Sequence, residues 1–220
     1  MTVRAFLFDF DGLILDTESA SRAGWEWLYR QHGFDLPAEL WATLIGRIGA
    51  PWNPMDHLEQ LVGSPLEREE LDERRYAHEL SLIETEELRP GIADYLAEAE
   101  SRGIKRAIVS SSSRRWIDMH LARLERSVGW DAIVAADHDV SRSKPRPDLY
   151  LDTLRLLDVV AGDAIAFEDS PNGVRAARAA GVFCVAIPND VTRDLGLDEA
   201  DLVVESLADL PPDDLLARFA

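Results

Sequence analysis

Cysteine and lysine are almost missing from this chain of 220 residues, which holds Cys184 alone of the first and Lys105 and Lys144 of the second. A lone cysteine excludes a disulfide framework and a thiolate metal site. Its place in the apolar run Val182–Ile187 assigns it to the core. Positive charge is scarce as well, with 23 Lys and Arg against 41 Asp and Glu and a net charge of −18. A surface of that sign repels a phosphate backbone, so nucleic acid is not an expected partner. The acidic residues are scattered along the chain, as on a solvated surface, and form no tail. No run approaches the roughly 18 apolar residues that cross a bilayer, and the N-terminus enters a strand-like segment without a basic region or cleavable signal. The expectation is a cytoplasmic protein with no membrane partner, and a monomer.

What is present is the composition of a folded globular chain, 46% hydrophobic and 29% charged. Its length gives room for one full core and a modest accessory domain. Short apolar runs recur at Val3–Phe8, Arg106–Val109, Ala132–Ala136, Ala164–Phe167, Val182–Ile187 and Leu202–Val204, with helical patterns between them. That alternation predicts an α/β fold, a Rossmann-like parallel sheet with helices on both faces. Helices are predicted over Ile92–Arg102, between Pro90-Gly91 and Gly103, over Leu149–Leu157, and over Pro171–Ala180, behind Ser170 as N-cap.

About ninety residues separate the first two strands, too many for one crossover helix and without a clear strand run. An α-helical insertion is therefore expected, giving core at 1–16, cap at 17–87 and core again at 88–220. Trp25, Trp27, Leu28, Trp41, Leu44, Leu58, Leu61, Leu71, Leu80 and Leu82 are its candidate inward positions. Four of the six tryptophans (Trp25, Trp27, Trp41, Trp52) fall in this stretch. Core packing is the preferred reading at each, with a substrate cleft as the competitor.

Chemistry concentrates at strand ends, where open parallel sheets place their ligand crevice. Phe8-Asp9-Phe10-Asp11-Gly12 closes the first run. Aspartates two apart on an extended backbone project the same way, and glycine then allows a sharp turn. Glu168 and Asp169 follow the fourth run and, with Asp9, make a hard oxygen-rich set suited to magnesium. The competing reading makes Asp169-Ser170-Pro171 a cap for the next helix, and the two roles are compatible. Ser110-Ser111-Ser112-Ser113 after the second run offers hydroxyls and backbone N–H groups to phosphate oxygens, or else is an ordinary loop. Lys144, in Lys144-Pro145-Arg146-Pro147-Asp148, is one of two lysines in the chain and stands in a proline-stiffened turn as a compact cation.

With these four pieces in order, essentially the whole chain resembles the haloacid dehalogenase superfamily. The similarity is to its branch of phosphatases and phosphoglucomutase-like enzymes with a helical cap inserted after the first strand. Asp9-Phe10-Asp11-Gly12, extended by Leu15-Asp16-Thr17-Glu18, is similar to the first family motif, and Ser110 after Ala107-Ile108-Val109 to the second. Lys144 resembles the third motif, and Phe167-Glu168-Asp169-Ser170-Pro171-Asn172-Gly173 the fourth.

The resemblance implies an aspartyl-phosphate mechanism in which Asp9 is the nucleophile and Asp11 the acid and then the base. It implies Mg2+ on the Asp9 carboxylate, the Asp11 backbone carbonyl and Asp169, with Glu168 close by. Gly12, Ser110, Ser111 and Lys144 would bind the phosphate group of a small phosphorylated metabolite. Arg47, in Leu44-Ile45-Gly46-Arg47, is a candidate substrate contact, although family arginines often fall two residues later, at Gly49 here. Asp11 argues against haloacid chemistry, which needs no second acid, and the lysine-free insertion argues against the Schiff base of phosphonate cleavage. Ser21 stands where a β-phosphoglucomutase-like enzyme is expected to carry a histidine. Phosphate hydrolysis is thus preferred to sugar-phosphate isomerisation and to a catalytically silent binding module. Arg22 and His57 are read as surface or core.

Overall fold

In the computed structural model, residues 2–41, 43–44, 52–126 and 129–219 are described. Six strands form one parallel sheet: β1 (Ala5–Phe8), β2 (Lys105–Ser110), β3 (Ala132–Ala135), β4 (Ala164–Glu168), β5 (Phe183–Ala186) and β6 (Leu202–Val203). Their order is β3-β2-β1-β4-β5-β6, and every neighbouring pair is parallel. The chain steps outward from β1 to β3, then returns to β1's other side and runs to β6. The order therefore reverses at β1 and β4, and a crevice opens beyond their carboxyl ends. Each of the six apolar runs is a strand, shifted by at most two residues at its ends.

The sheet divides large side chains from small ones. One face carries Phe6, Phe8, Ile108, Ile165, Phe167 and Val185, covered by Tyr95 and Ala99 of α5 (Ile92–Arg102), Ile117 and Leu121 of α6 (Arg114–Arg123), and Leu215 of a C-terminal helix (Pro212–Leu216). The other face carries Ala5, Leu7, Ala107, Ala164, Ala166, Cys184 and Ala186, on which α7 (Asp148–Leu157) and α8 (Pro171–Ala179) pack through Leu149, Tyr150, Leu154, Val174 and Ala177. Strands buried on both faces read as continuous apolar runs, which is why they were visible in the sequence. Cys184 is buried there with its thiol free.

Between β1 and α5 the described residues form four helices: α1 (Thr17–Gln31), α2 (Ala38–Trp41), α3 (Pro54–Val62) and α4 (Arg68–Ile83). They share a core of their own through Leu28, Tyr29, Leu36, Trp41, Met55, Leu58 and Leu71. The inward stripe of α3 runs through Met55, Leu58 and Val62, so Leu61 lies on its flank at 39% exposure, against expectation. Leu80 and Leu82 are likewise not at the centre, because α4 turns Leu71, Arg75, Glu79 and Ile83 inward at a spacing of four. Arg75 donates to Glu79 and lies over the Trp25 ring at 4.7 Å, so its charge is matched where it is buried. Among the described residues no helix is long and apolar enough to cross a membrane.

Candidate active site

Asp9 leaves β1 while still on the ladder, its N–H donating to Phe167 O at 2.9 Å, and is buried. Lys144 Nζ donates to Asp9 Oδ1 and, at 2.6 Å, to Glu168 Oε1. Tyr150 of α7 donates its hydroxyl to the same Glu168 oxygen. The second oxygen, Glu168 Oε2, is buried without a hydrogen-bond partner. Ser170 is the N-cap of α8, its Oγ accepting the Gly173 N–H at 3.2 Å. Asp169 is left free of that task and accepts from Asn189 Nδ2 at 2.8 Å. Ligand oxygens of Asp9, Glu168 and Asp169 all lie within 4.8 Å of one another.

That crowding has electrostatic consequences. Burial, together with the charges of Glu168 and Asp11, pushes the Asp9 carboxyl up to about 8 against the opposing pull of Lys144. Burial and the charge of Asp9 push Asp169 well above the usual carboxylate range. Burial alone would lower Lys144, but Asp9 and Glu168 hold it above its ordinary value. One lysine does not offset three buried carboxylates, so the pocket favours a further positive charge.

Two glycines shape this floor. A Cβ on Gly173 would lie 1.7 Å from Glu168 Oε2, so only a glycine lets that carboxylate sit against α8. Gly12 has φ of +81°, and a Cβ there would lie 2.2 Å from Asp169 Oδ2. The Gly12 carbonyl accepts from Arg89 and, at 3.3 Å, from Asn189, which ties the loop after β1 to the segment after β5.

Asp11 stands beside this cluster in a different setting. Its Oδ1 accepts from Thr17 Oγ1 at 2.9 Å and Trp116 Nε1 at 2.7 Å, and its Oδ2 from Ser112 Oγ at 2.6 Å and Ser110 Oγ at 3.2 Å. A cavity of about 530 Å3 opens over both aspartates. Its walls include Glu18 and Ser21 of α1, the serines 110–113, Trp116, Lys144 and Asp169, and its far side Trp41, Leu44 and Tyr76 from the helical insertion. Burial and the neighbouring Asp11 and Asp9 charges push the Glu18 carboxyl up to about 8.

Of the residues singled out in the sequence, Asp9, Asp11, Ser110, Ser111, Lys144 and Asp169 meet on this cavity. Glu168 lies just beneath, and Gly12 stands beside the site rather than on its wall. Ser110, expected to face a phosphate oxygen, spends its hydroxyl on Asp11, and Ser111 Oγ accepts the Lys144 N–H at 3.3 Å. Arg47 lies outside the described residues. Arg22 pairs with Glu26 and His57 contacts the Tyr29 hydroxyl, neither on the cavity wall. Trp41, read as core, is buried in the insertion and also lines the cavity.

Sequence reasoning missed Trp116, Tyr76, Tyr150, Asn189 and Arg89. Asn189 carried a signal, since it stands just past the run Val182–Ile187, at the same sheet edge as the other site residues. The others arrive from helices and loops, with no local mark of where they point.

Residues 3–181 match the model of the haloacid dehalogenase-like hydrolases. The chain is 38% identical over 208 residues to YhcW of Bacillus subtilis, covering 94% of each protein. It is 31% identical to hexitol phosphatase A of Escherichia coli, covering 94% of this chain and 93% of that one. The crystal structure of β-phosphoglucomutase from Clostridium difficile superposes with a TM-score of 0.74 at 26% identity, over 99% of this chain and 97% of that one. The chain belongs to the haloacid dehalogenase-like hydrolases, as a phosphatase of the branch that also holds β-phosphoglucomutase-like proteins.

Proposed function

We propose that this protein is a magnesium-dependent phosphatase of small phosphomonoesters, sugar phosphates foremost, working through an aspartyl-phosphate on Asp9. The observation that carries the reading is the pairing of two unlike aspartates under one cavity. Asp9 is buried against a lysine and two further carboxylates, and Asp11 is held by four hydrogen-bond donors that leave it beside the same space.

In the reading, an Asp9 carboxylate oxygen attacks phosphorus and the bond from phosphorus to the ester oxygen breaks. Asp11 gives its proton to that leaving oxygen, which departs as an alcohol. Asp11 then takes a proton from a water molecule as the water attacks phosphorus. The acyl-phosphate bond breaks, inorganic phosphate leaves and Asp9 is restored. Lys144 pulls Asp9 toward its charged form against the burial that raises it, and faces the phosphate oxygens.

The donor set fits magnesium: hard carboxylate oxygens from Asp9, Glu168 and Asp169, with Glu168 keeping one oxygen free of hydrogen bonds, and more negative charge than Lys144 offsets. Asp9, the Asp11 backbone carbonyl and Asp169 would hold the ion, with Glu168 beside it. When bound, it supplies the charge that offsets repulsion between carboxylate and phosphate. Residues 17–87 serve as the cap, and the aromatic far wall of the cavity faces the alcohol part of the substrate.

Release of inorganic phosphate from p-nitrophenyl phosphate and a panel of phosphomonoesters, with and without Mg2+, tests the proposal. Turnover that needs Mg2+ is expected, and none on any ester would sink it. The solved β-phosphoglucomutase relative keeps isomerisation as the rival reading. Ser21, on the cavity wall where a histidine is expected in that case, favours hydrolysis. Glucose 6-phosphate accumulating from β-glucose 1-phosphate and its bisphosphate activator would reverse the choice.

A further inference from the structure

Four side chains donate to Asp11, and one differs in kind from the rest. The hydroxyls of Thr17, Ser110 and Ser112 can donate or accept by rotating, whereas the indole N–H of Trp116 can only donate. Trp116 Nε1 and Thr17 Oγ1 both reach Oδ1, at 2.7 and 2.9 Å. An oxygen that receives an indole N–H cannot direct a proton of its own along that line. Ser112 and Ser110 are the partners of Oδ2, and both can turn to accept.

The indole is fixed from several sides. Trp116 lies in the first turn of α6, directly after the serine run, with its backbone N–H capped by Ser113 Oγ at 3.2 Å. Its ring meets the buried His120 ring edge to face, centroids 4.2 Å apart. On the insertion side it meets Tyr76 of α4, centroids 6.4 Å apart, and it packs against the Leu15, Ala20 and Ile83 cluster at the base of the insertion.

We propose that Trp116 is a positioning residue for the acid–base step: its N–H holds Asp11 Oδ1 as a fixed acceptor, so that Oδ2 carries the proton to and from the reacting oxygen. This rests on the phosphatase reading above and goes beyond it by assigning the oxygen and the residue that selects it. In the first half-reaction the proton leaves Oδ2 as the ester bond breaks, and in the second it returns to Oδ2 from water. Trp116 acts on the reaction through Asp11 and not on the phosphorus itself.

Leaving-group dependence separates this role from that of a cavity wall, because a poor leaving group needs the proton and a good one does not. The substitution Trp116→Phe keeps most of the ring packing and removes the N–H. The measurement is kcat/KM, which reports the steps through aspartyl-phosphate formation, for p-nitrophenyl phosphate and for the best alkyl phosphate of the panel. Expected is a loss of roughly 30-fold on the alkyl ester and under about 3-fold on the aryl ester, since general acid catalysis contributes on the order of 10²–10⁴-fold. In an Asp11→Asn background the same change should cost the two esters equally.

Equal losses on both esters in the otherwise wild-type enzyme, or no loss on either, would overturn the proposal while leaving the phosphatase reading intact. A wild-type protein with no turnover on any ester would instead remove the reading on which the proposal stands. Should Trp116→Phe fail to fold by circular dichroism, a benzothienyl-alanine at 116 keeps the bicyclic shape without the N–H. It is held to the same two outcomes.

Discussion

The floor and the far wall of the cavity are built on different terms. On the floor, each charged or polar group sits at the end of a strand and is held by partners from distant parts of the chain: Asp9 by Lys144, Glu168 by Lys144 and Tyr150, Asp169 by Asn189, Asp11 by four donors. The far wall is Trp41, Leu44 and Tyr76, carried by the helical insertion, which has a core of its own. Trp41 Nε1 is buried without a partner and Tyr76 is 38% exposed, so the far wall offers shape and aromatic surface where the floor offers fixed charge. Phosphoryl chemistry needs groups placed to within a fraction of an ångström, which over-determined strand ends provide. Choice among alcohols needs a surface that can differ from one enzyme to another while the floor stays put.

That division can be broken most severely at Asp9, the proposed nucleophile. Asp9→Asn keeps the shape of the side chain and removes the attacking anion, so kcat is expected to fall by on the order of 10⁴-fold, measured as phosphate release under saturating Mg2+. Wild-type rates in this variant would show the floor to be a binding site and no more. Gly173→Ala attacks the same floor sterically. A methyl group 1.7 Å from Glu168 Oε2 must displace a carboxylate that Lys144 and Tyr150 hold. The expected cost is about 2–3 kcal/mol, or a Tm lower by roughly 5–10 °C in a thermal melt, with weaker Mg2+ dependence of activity.

Much of the floor was legible in the sequence and little of the far wall was. Buried parallel strands declare themselves as apolar runs, and Asp9, Ser110 and Asp169 each stand just past the end of one. Lys144 was marked by scarcity and by the two prolines that follow it. Tyr150 and Trp116 were not legible, because a tyrosine or tryptophan on an amphipathic helix reads as core until the fold sets it opposite a carboxylate from another strand. The insertion was visible as helical, and Leu28, Trp41, Leu58 and Leu71 were read inward as the structure has them, but the packing of α4 was not visible. The inward stripe of α4 passes through Arg75 and Glu79, charged positions that a hydrophobic pattern assigns to solvent. Gly24 of α1 faces that pair, where a Cβ would lie 3.3 Å from Glu79 Cβ, so two helices approach closely at a place marked only by a glycine.

A cation test sharpens the contrast at intermediate size. Asp9 has a folded-state value of about 8 against 3.8 for the free side chain, so between those values the folded protein binds protons that the unfolded chain does not. In chelator, the stability this contributes is full below about pH 4 and is lost as pH rises through about 8. Magnesium competes with those protons. Its stabilisation is therefore expected to be larger at pH 8 than at pH 6, near 2.7 kcal/mol when the ion is at about 100 times its Kd, or roughly 5–10 °C in Tm. A Mg2+ shift equal at the two pH values would mean that the buried carboxylates are not its ligands.

The far wall should yield the smallest effect and the most informative kind. Tyr76→Ala removes a ring that is 38% exposed and lines the cavity in contact with Trp116, so stability is expected to change by less than about 1 kcal/mol. If the aromatic wall receives the alcohol part of the substrate, KM for the best alkyl phosphate should rise about tenfold. For p-nitrophenyl phosphate, whose ring can find other apolar surface in a cavity of this size, it should rise less. Substrate titrations of kcat and KM for both esters check this. A fall in kcat on both esters with KM unchanged would place Tyr76 with the floor, acting on the chemistry through its contact with Trp116. The division between floor and wall would then have to be redrawn around that pair of rings.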